Sequence, residues 1–244
     1  MADQQARPAY YAAGPGRWRD WWTLLHPPFT AWHLAYVVIG AMLAPEVRTG
    51  RLLAAVGAFF LAVGLSAHAL DELHGRPLRT AIPGPVLVAV SVIGLAGAVG
   101  LGAWGITQVG WVLLPFMIVG PLLVIGYNAE LFGGLIHTDL GFAAAWGAFP
   151  ALTGYVGQAG RLAVAPVLVA AAAMALSTGQ RHLSTPARLL RRRTATASGQ
   201  VTLISGEVIT LDAAKLLEPL ERSLRSFSWG VVLLAAALAV ARLA

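Results

Sequence analysis

Imidazoles and carboxylates gather where the second long apolar segment of the chain ends. His68, Asp71 and Glu72 stand at i, i+3 and i+4, so they share one face if the helix continues through them. Mixed imidazole and carboxylate donors suit a divalent metal ion, which makes these three the candidate catalytic residues. The same charges also suit a salt network with Arg76 and Arg79 at the helix end.

A second polar stretch follows the fourth apolar segment. Tyr127, Asn128 and Glu130 lie there, and His137 and Asp139 come further along the chain. The Gly133-Gly134 pair breaks any helix between the two parts. The sequence therefore leaves open whether these side chains share a cavity or form a structural polar network.

A third polar stretch, Gln180-Arg181-His182, runs on to Arg188 after the sixth apolar segment. The cluster formed by Arg188 and residues 191–193 favours a topological role and contact with anionic lipid headgroups, and a phosphate site is the alternative. His33, inside the first apolar segment, is predicted to be a packing residue. The candidate metal ligands are the histidines and carboxylates of all three stretches: His68, Asp71, Glu72, His74, Glu130, His137, Asp139 and His182.

The composition of the 244-residue chain indicates a membrane protein. It is 57% hydrophobic and only 11% charged, and a soluble fold would leave much of that apolar surface in water. The absence of cysteine excludes disulfides and thiolate chemistry. The net charge of +6 comes mainly from arginines at the ends of apolar runs, which indicates orientation in a bilayer rather than nucleic acid as a partner.

Seven apolar segments are long enough, or nearly so, to cross a bilayer as helices, which predicts an all-α, polytopic transmembrane helical bundle. They lie at about 29–46, 51–70, 84–104, 107–126, 140–158, 160–179 and 226–243. Arginines precede the first segment and follow the second and the sixth, and these three places share one face if the segments alternate. The positive-inside rule then predicts an integral protein of the cell (inner) membrane with a cytoplasmic N-terminus.

The segment between the sixth and seventh spans is not membranous. Two strand-like runs surround Ser205-Gly206, and Asp212 is a good N-cap for an amphipathic helix that ends near Ser226. The predicted organisation has four parts. They are a cytoplasmic segment and interfacial anchor (1–28), a transmembrane bundle (29–193), a cytoplasmic strand and amphipathic-helix segment (194–225) and a last spanning helix (226–244).

The chain resembles the UbiA superfamily of intramembrane prenyltransferases over about residues 20–193. The residues that carry the resemblance are Leu25–Gly40, Ala67–Asp71, Gly75–Leu78 with Thr80, Ala145–Pro150 with Gly154-Tyr155, and His182–Leu190. The resemblance implies two acidic motifs that hold Mg²⁺, which binds a prenyl diphosphate. It further implies ionisation of the carbon–oxygen bond to an allylic cation, followed by transfer or cyclisation, as in a prenyltransferase or terpene cyclase.

On this reading Asp71 and Glu72 bind the metal, and the partner is an isoprenoid or other membrane lipid. The remaining side chains would hold the substrate, with the arginines making bidentate contacts to its phosphates: Arg76, Arg79, Tyr127, Asn128, Arg181 and Arg188.

The sequence departs from the family pattern at both motifs. Ala67 and His68 replace the expected Asn and Asp, and the carboxylates of the second motif are absent. Histidine in place of aspartate shifts metal preference toward Fe, Zn or Mn, so the second hypothesis is an intramembrane metalloprotein with oxidative or hydrolytic chemistry. The third is a non-enzymatic lipid- or quinone-binding membrane subunit. The sequence indicates no oligomeric state.

Overall fold

The computed structural model describes residues 7–14 and 16–244, and this part of the chain is helical apart from one β-hairpin. The helices are α1 (Arg17–Leu24), α2 (Pro27–Met42), α3 (Thr49–Leu73), α4 (Gly84–Val109), α5 (Trp111–Asn128), α6 (Asp139–Ala143, Ala144–Ala148 and Phe149–Ala159 in direct succession), α7 (Val164–Arg192) and α8 (Ala213–Leu243), with a short 3-10 turn at Leu131–Gly134. The strands are β1 (Ser198–Thr202) and β2 (Val208–Asp212). The all-α prediction is confirmed.

Four helices in the described part of the chain are long and apolar enough to cross a membrane: α3, α4, α5 and α8. They correspond to four of the seven predicted spans. The other three predicted spans are also largely helical, but α2 has only 16 residues, α6 is interrupted by a π-helical turn, and α7 runs on into a polar end. The bundle therefore supports a membrane protein with at least these four candidate spans.

Helix α2 packs at the centre of the bundle. Trp32, Tyr36 and Ile39 are buried on it, and they form one core with Val231 and Ala235 of α8. On its other side α2 crosses α6 so closely that backbone meets backbone. A Cβ at Gly40 would lie 1.9 Å from the carbonyl oxygen of Ala151, and one at Gly154 would lie 2.1 Å from that of Val37. Only glycine permits this crossing, which resembles the small-residue contacts of membrane helices.

Helix α8 is continuous from the surface into the bundle. Its buried positions alternate at spacings of four and three residues, so one seam faces α2 and α7 over the whole length: Leu217, Glu221, Leu224, Ser228, Val231 and Ala235. The sequence prediction placed an element boundary at residue 226, and that boundary falls inside this helix. The amphipathic part and the last span are one element because residues 220–229, which surround the predicted boundary, contain no glycine or proline; Pro219 lies within the helix, before that stretch.

The hairpin before α8 agrees with the sequence prediction. Strands β1 and β2 pair antiparallel, with Gln200 opposite Thr210, and Gly206 takes a positive φ of 83° in the turn. Asp212 caps α8, since its Oδ1 accepts a hydrogen bond of 2.8 Å from the backbone N–H of Lys215. The predicted N-cap is confirmed.

Candidate functional site

One end of the bundle holds a polar cavity of about 430 Å³. It opens where α3, α5 and α7 end and where α2 begins, and residues 8–11 of the N-terminal segment form part of its wall. Nine of the predicted site residues line it: His68, Asp71, His74, Tyr127, Asn128, Glu130, His137, Arg181 and Arg188. The three polar stretches of the sequence thus meet in one place.

Five predicted site residues do not line this cavity: Glu72, Arg76, Arg79, Asp139 and His182. Arg76 donates a hydrogen bond of 2.6 Å to the carbonyl of Ile82, and Arg79 lines a separate cavity beside α1. His182 is exposed on α7. Arg76 and Arg79 lie in the loop after α3, and His182 lies on an exposed side of α7, so none of the three faces the cavity.

Glu72 supports the loop after α3. The side chain is fully buried, and its carboxylate accepts hydrogen bonds of 2.9 Å from the backbone N–H groups of Leu78 and Thr80 and from the Thr80 hydroxyl. Asp71, one residue earlier, points into the cavity instead. Two adjacent acids therefore have different surroundings, and only Asp71 is placed to meet a ligand.

Three histidines of the cavity are each held by a hydrogen bond between Nδ1 and a backbone carbonyl. Nδ1 of His33 lies 2.8 Å from the carbonyl of Trp146, Nδ1 of His68 lies 3.2 Å from that of Gly64, and Nδ1 of His137 lies 3.0 Å from that of Tyr127. Because a carbonyl only accepts, each Nδ1 carries the proton. A neutral imidazole in this tautomer has its lone pair on Nε2, which suits it to accept a proton or bind a metal ion.

Two of these supporting carbonyls belong to π-helical turns. Gly64 lies in the turn Phe60–Ala67 of α3, and Trp146 lies in the turn Ala144–Ala148 of α6. A π turn inserts one extra residue in the helical repeat and occurs often at functional sites. These turns set which side chains of α3 and α6 face the cavity.

His26 precedes α2 and stacks on His68, with ring centroids 4.2 Å apart. Its Nδ1 shares a hydrogen bond of 2.8 Å with the hydroxyl of Tyr11, and its Nε2 is buried without a hydrogen-bond partner among the described residues. Burial, reinforced by the neighbouring His68 and the positive charge of Arg192, holds the pKa of His26 well below its ordinary value. Burial likewise raises the pKa of Tyr11 above its ordinary range, so both groups are neutral at pH 7.

A series of aromatic and charged side chains in contact with one another lines the side of the cavity formed by α5. Tyr127 stacks on His137 with centroids 4.3 Å apart, and its hydroxyl accepts a hydrogen bond of 2.9 Å from Arg181. Arg181 also pairs with Asp139 at 2.8 Å and lies over the ring of Phe142. Arg181 and Asp139 are therefore already partnered with one another.

Further arginines enter the cavity from the end of α7, where the sequence interpretation favoured a topological role. Arg191 pairs with Glu221 of α8, and both side chains are largely buried. Arg192 donates a hydrogen bond of 3.0 Å to the carbonyl of Pro8. Sequence reasoning also missed Tyr11 as a cavity residue. The arginine cluster was the available signal, whereas the N-terminal segment has no periodicity that would place it.

An apolar cavity of about 110 Å³ adjoins the polar one. It lies between α3, α4, α5 and α6, and Val63 and Trp146 line both cavities. Its wall contains many alanines and glycines, and the rings of Phe59, Phe116 and Phe149 pack together beside it, with centroids about 6 Å apart. The two cavities together offer a polar compartment and an apolar compartment that meet at one tryptophan.

The described residues present no group of three or more histidine or acidic side chains close enough to hold a metal ion. Comparison of the chain with family models, with curated proteins and with solved structures gives no match. The two cavities are therefore the features that bear on function.

Proposed function

We propose that the protein is a UbiA-like membrane enzyme that acts on an isoprenoid or other lipid with a diphosphate-type headgroup. The observation that supports this most directly is the meeting of an arginine-rich cavity and an apolar cavity at Val63 and Trp146. An amphipathic lipid needs both compartments, since its charged head requires cationic donors and its chain requires apolar walls. The likeness of the opening helix and of Ala67–Asp71 to that superfamily supports the same reading.

The surroundings of the junction suit the ionisation of an allylic diphosphate. When the carbon–oxygen bond breaks, its electron pair leaves with the diphosphate, and guanidinium groups such as that of Arg188 stabilise the added charge. The allylic cation that is left faces the rings of Trp146 and Tyr127, whose π-electrons favour a nearby cation. His68 Nε2 is suited to accept the proton released when the cation is captured or loses a hydrogen.

Binding and turnover of farnesyl diphosphate by the detergent-purified protein test this proposal. We expect micromolar-range or tighter binding measured by calorimetry, and release of pyrophosphate on incubation with an aromatic acceptor or alone. Binding without release of pyrophosphate would favour the non-enzymatic lipid-binding alternative. Absence of binding would contradict the proposal.

A matched pair of glycine variants tests the apolar compartment. Gly157 lines the apolar cavity, and a Cβ added there meets nothing within 4 Å. Gly100 is exposed on α4, lies outside the cavity lining and is equally open. Gly157→Leu should weaken farnesyl diphosphate binding by about tenfold and leave inorganic pyrophosphate binding unchanged, since a leucine side chain competes for about the volume of a few methylenes. Gly100→Leu should change neither, and equal effects of both variants would argue against an occupied apolar cavity.

A transition-metal protein (Fe, Zn or Mn) is the second candidate. The lone pairs on Nε2 of His33, His68 and His137 favour it, because metal-binding histidines commonly donate their other N–H to a carbonyl. Elemental analysis of the purified protein beside His68→Ala distinguishes the two candidates. Stoichiometric metal in the wild type that is lost in the variant would replace the diphosphate proposal with this one.

A further inference from the structure

Arg188 and Arg192 line the polar cavity and have no carboxylate partner among the described residues, and the same holds for Arg193 at the end of α7. Arg188 donates a hydrogen bond of 3.2 Å to the hydroxyl of Thr185, and Arg192 donates from Nε to the carbonyl of Pro8. Neither takes part in an ion pair within the described ranges, in contrast to Arg181 with Asp139 and Arg191 with Glu221. Arg188 and Arg192 are four residues apart on α7, so they share one face of the helix.

The guanidinium groups of Arg188 and Arg192 act on the same small volume. Both lie within electrostatic range of Asp71, Tyr11 and His26, and Arg188 is also within range of Arg181. Several positive charges in a half-buried cavity repel one another unless an anion joins them. Both arginines act on the carboxylate of Asp71, and one carboxylate does not neutralise two guanidinium groups.

The magnesium ion that the superfamily resemblance implies does not fit the carboxylates of the cavity. Mg²⁺ takes six oxygens in octahedral geometry, with one or two carboxylates from the protein. The carboxylate of Glu72 is bound to the 78–80 loop, and Glu221 and Asp139 are paired with arginines. Asp71 and the exposed Glu130 line the cavity but belong to no metal-binding group within the described ranges. The cavity therefore has more arginines than carboxylates available to a ligand, which suits an anion better than a metal ion.

From this disagreement we infer that Arg188 and Arg192 bind the phosphate groups of the ligand directly, so that headgroup binding does not require a divalent cation. The inference rests on the proposed function and specifies how its ligand is recognised. Each guanidinium has N–H groups beyond those used by Thr185 and Pro8, and its planar fork matches two phosphate oxygens. In this arrangement Asp71 lies beside the anion and repels it, whereas it would attract the anion through a metal ion if Mg²⁺ were the bridge.

The experiment measures calorimetric binding of farnesyl diphosphate and of inorganic pyrophosphate, each in EDTA and in excess Mg²⁺. We expect the affinity for each probe to agree within about threefold between the two conditions. Arg188→Ala and Arg192→Ala should each weaken binding of both probes at least about tenfold, as expected for the loss of a charge-assisted bidentate contact. Arg222→Ala is the matched control, because Arg222 is exposed, pairs with Glu218 on α8 and lies outside the cavity lining.

Two further variants keep the test valid if an alanine variant folds poorly. Arg188→Lys retains the charge but loses the fork, so its affinity should fall with an unchanged thermal midpoint. Asp71→Asn should strengthen binding in EDTA by about threefold or more, because one repelling charge is removed. Binding that appears only with Mg²⁺ and is lost in Asp71→Asn would overturn the inference and leave the proposed function standing. Failure of farnesyl diphosphate to bind in either condition would instead remove the proposed function.

Discussion

The two ends of the helical bundle use arginine in opposite ways. At the end away from the polar cavity, Arg51 donates to the carbonyls of Gln158 and Gln108 at 3.0 and 2.7 Å, and Arg242 donates to those of Ala44 and Pro45. These carbonyls lie where helices finish and lack intrahelical partners. At the cavity end, Arg188 and Arg192 line the cavity, and each has N–H groups beyond those that bond Thr185 and Pro8. Arginine near a bilayer therefore stabilises the fold or binds a ligand, depending on which hydrogen-bond acceptors its neighbours leave without a donor.

Two neighbouring acids at the cavity end differ in the same way, since Asp71 faces the cavity and Glu72 supports the 78–80 loop. Of the variants proposed here, Glu72→Ala should lower the unfolding free energy most. Glu72→Ala removes a buried carboxylate and leaves the N–H groups of Leu78 and Thr80 without their acceptor. We expect a loss of about 3 kcal/mol in unfolding free energy, since unsatisfied buried donors cost about 1–3 kcal/mol each. Thermal or denaturant unfolding in detergent measures the change.

Glu130→Ala is the control for this variant, because Glu130 is exposed at the rim of the same cavity. Its unfolding free energy should change by less than about 0.5 kcal/mol. If Glu72→Ala instead left stability intact and abolished ligand binding, Glu72 would belong to the site, and the division between supporting and ligand-facing acids would be wrong.

Arg51→Ala tests the structural end. It removes two hydrogen bonds from a charged donor to helix-end carbonyls of α4 and α6, so we expect a loss of about 2 kcal/mol in unfolding free energy. Pyrophosphate affinity should stay within about twofold of the wild type, since Arg51 lies at the opposite end of the bundle from Arg188. Arg48→Ala, at an exposed residue that pairs with Glu46, should change neither quantity appreciably. A large loss of anion affinity in Arg51→Ala would show that arginines at both ends of the bundle contribute to anion binding.

Helix ends explain how much of the cavity the sequence could predict. Alternating helices bring every second end to one face, and polar stretches mark those ends, so the sequence predicts that the stretches with Asp71, Tyr127 and Arg181 lie at one face. It leaves open whether they share a cavity, and the structure shows that Asp71, Tyr127, His137 and Arg181 line the same one. The all-α fold, the hairpin and the Asp212 cap followed from apolar length and turn chemistry. Four of the seven predicted spans satisfy length and composition in the structure.

The remaining features depend on tertiary contacts that no local pattern reveals. Asp71 and Glu72 are adjacent, but helical geometry turns their side chains about 100° apart. Only the folded 78–80 loop determines which of the two carboxylates accepts the hydrogen bonds of its N–H groups. The π turns before His68 and around Trp146 change the helical register, so an ideal repeat misplaces the side chains that follow. His33 was predicted as a packing residue; it is indeed buried and bonded to Trp146, but it also lines the cavity.

His26 lies between the residues that support the fold and those that face the cavity, and its replacement should have the smallest effect on stability. Its pKa is lowered in the folded protein, so below about pH 6.5 the unfolded chain takes up a proton that the folded chain does not. Stability should therefore fall as the pH drops from 7.5 to 5.5, with His26 contributing up to about 1.4 kcal/mol per pH unit below 6.5. His26→Asn removes the titrating group and should make this pH dependence shallower in thermal unfolding.

Tyr11→Phe is the control for His26, since it removes the hydrogen bond to Nδ1 but keeps the ring that buries the imidazole. Burial is the main cause of the lowered pKa, so Tyr11→Phe should retain the pH dependence that His26→Asn loses. An unchanged slope in His26→Asn would mean that His26 is protonated in the folded protein. Its Nε2–H would then be an additional cationic donor beside Arg192, and His26 would belong with the anion-binding residues rather than with the supporting ones.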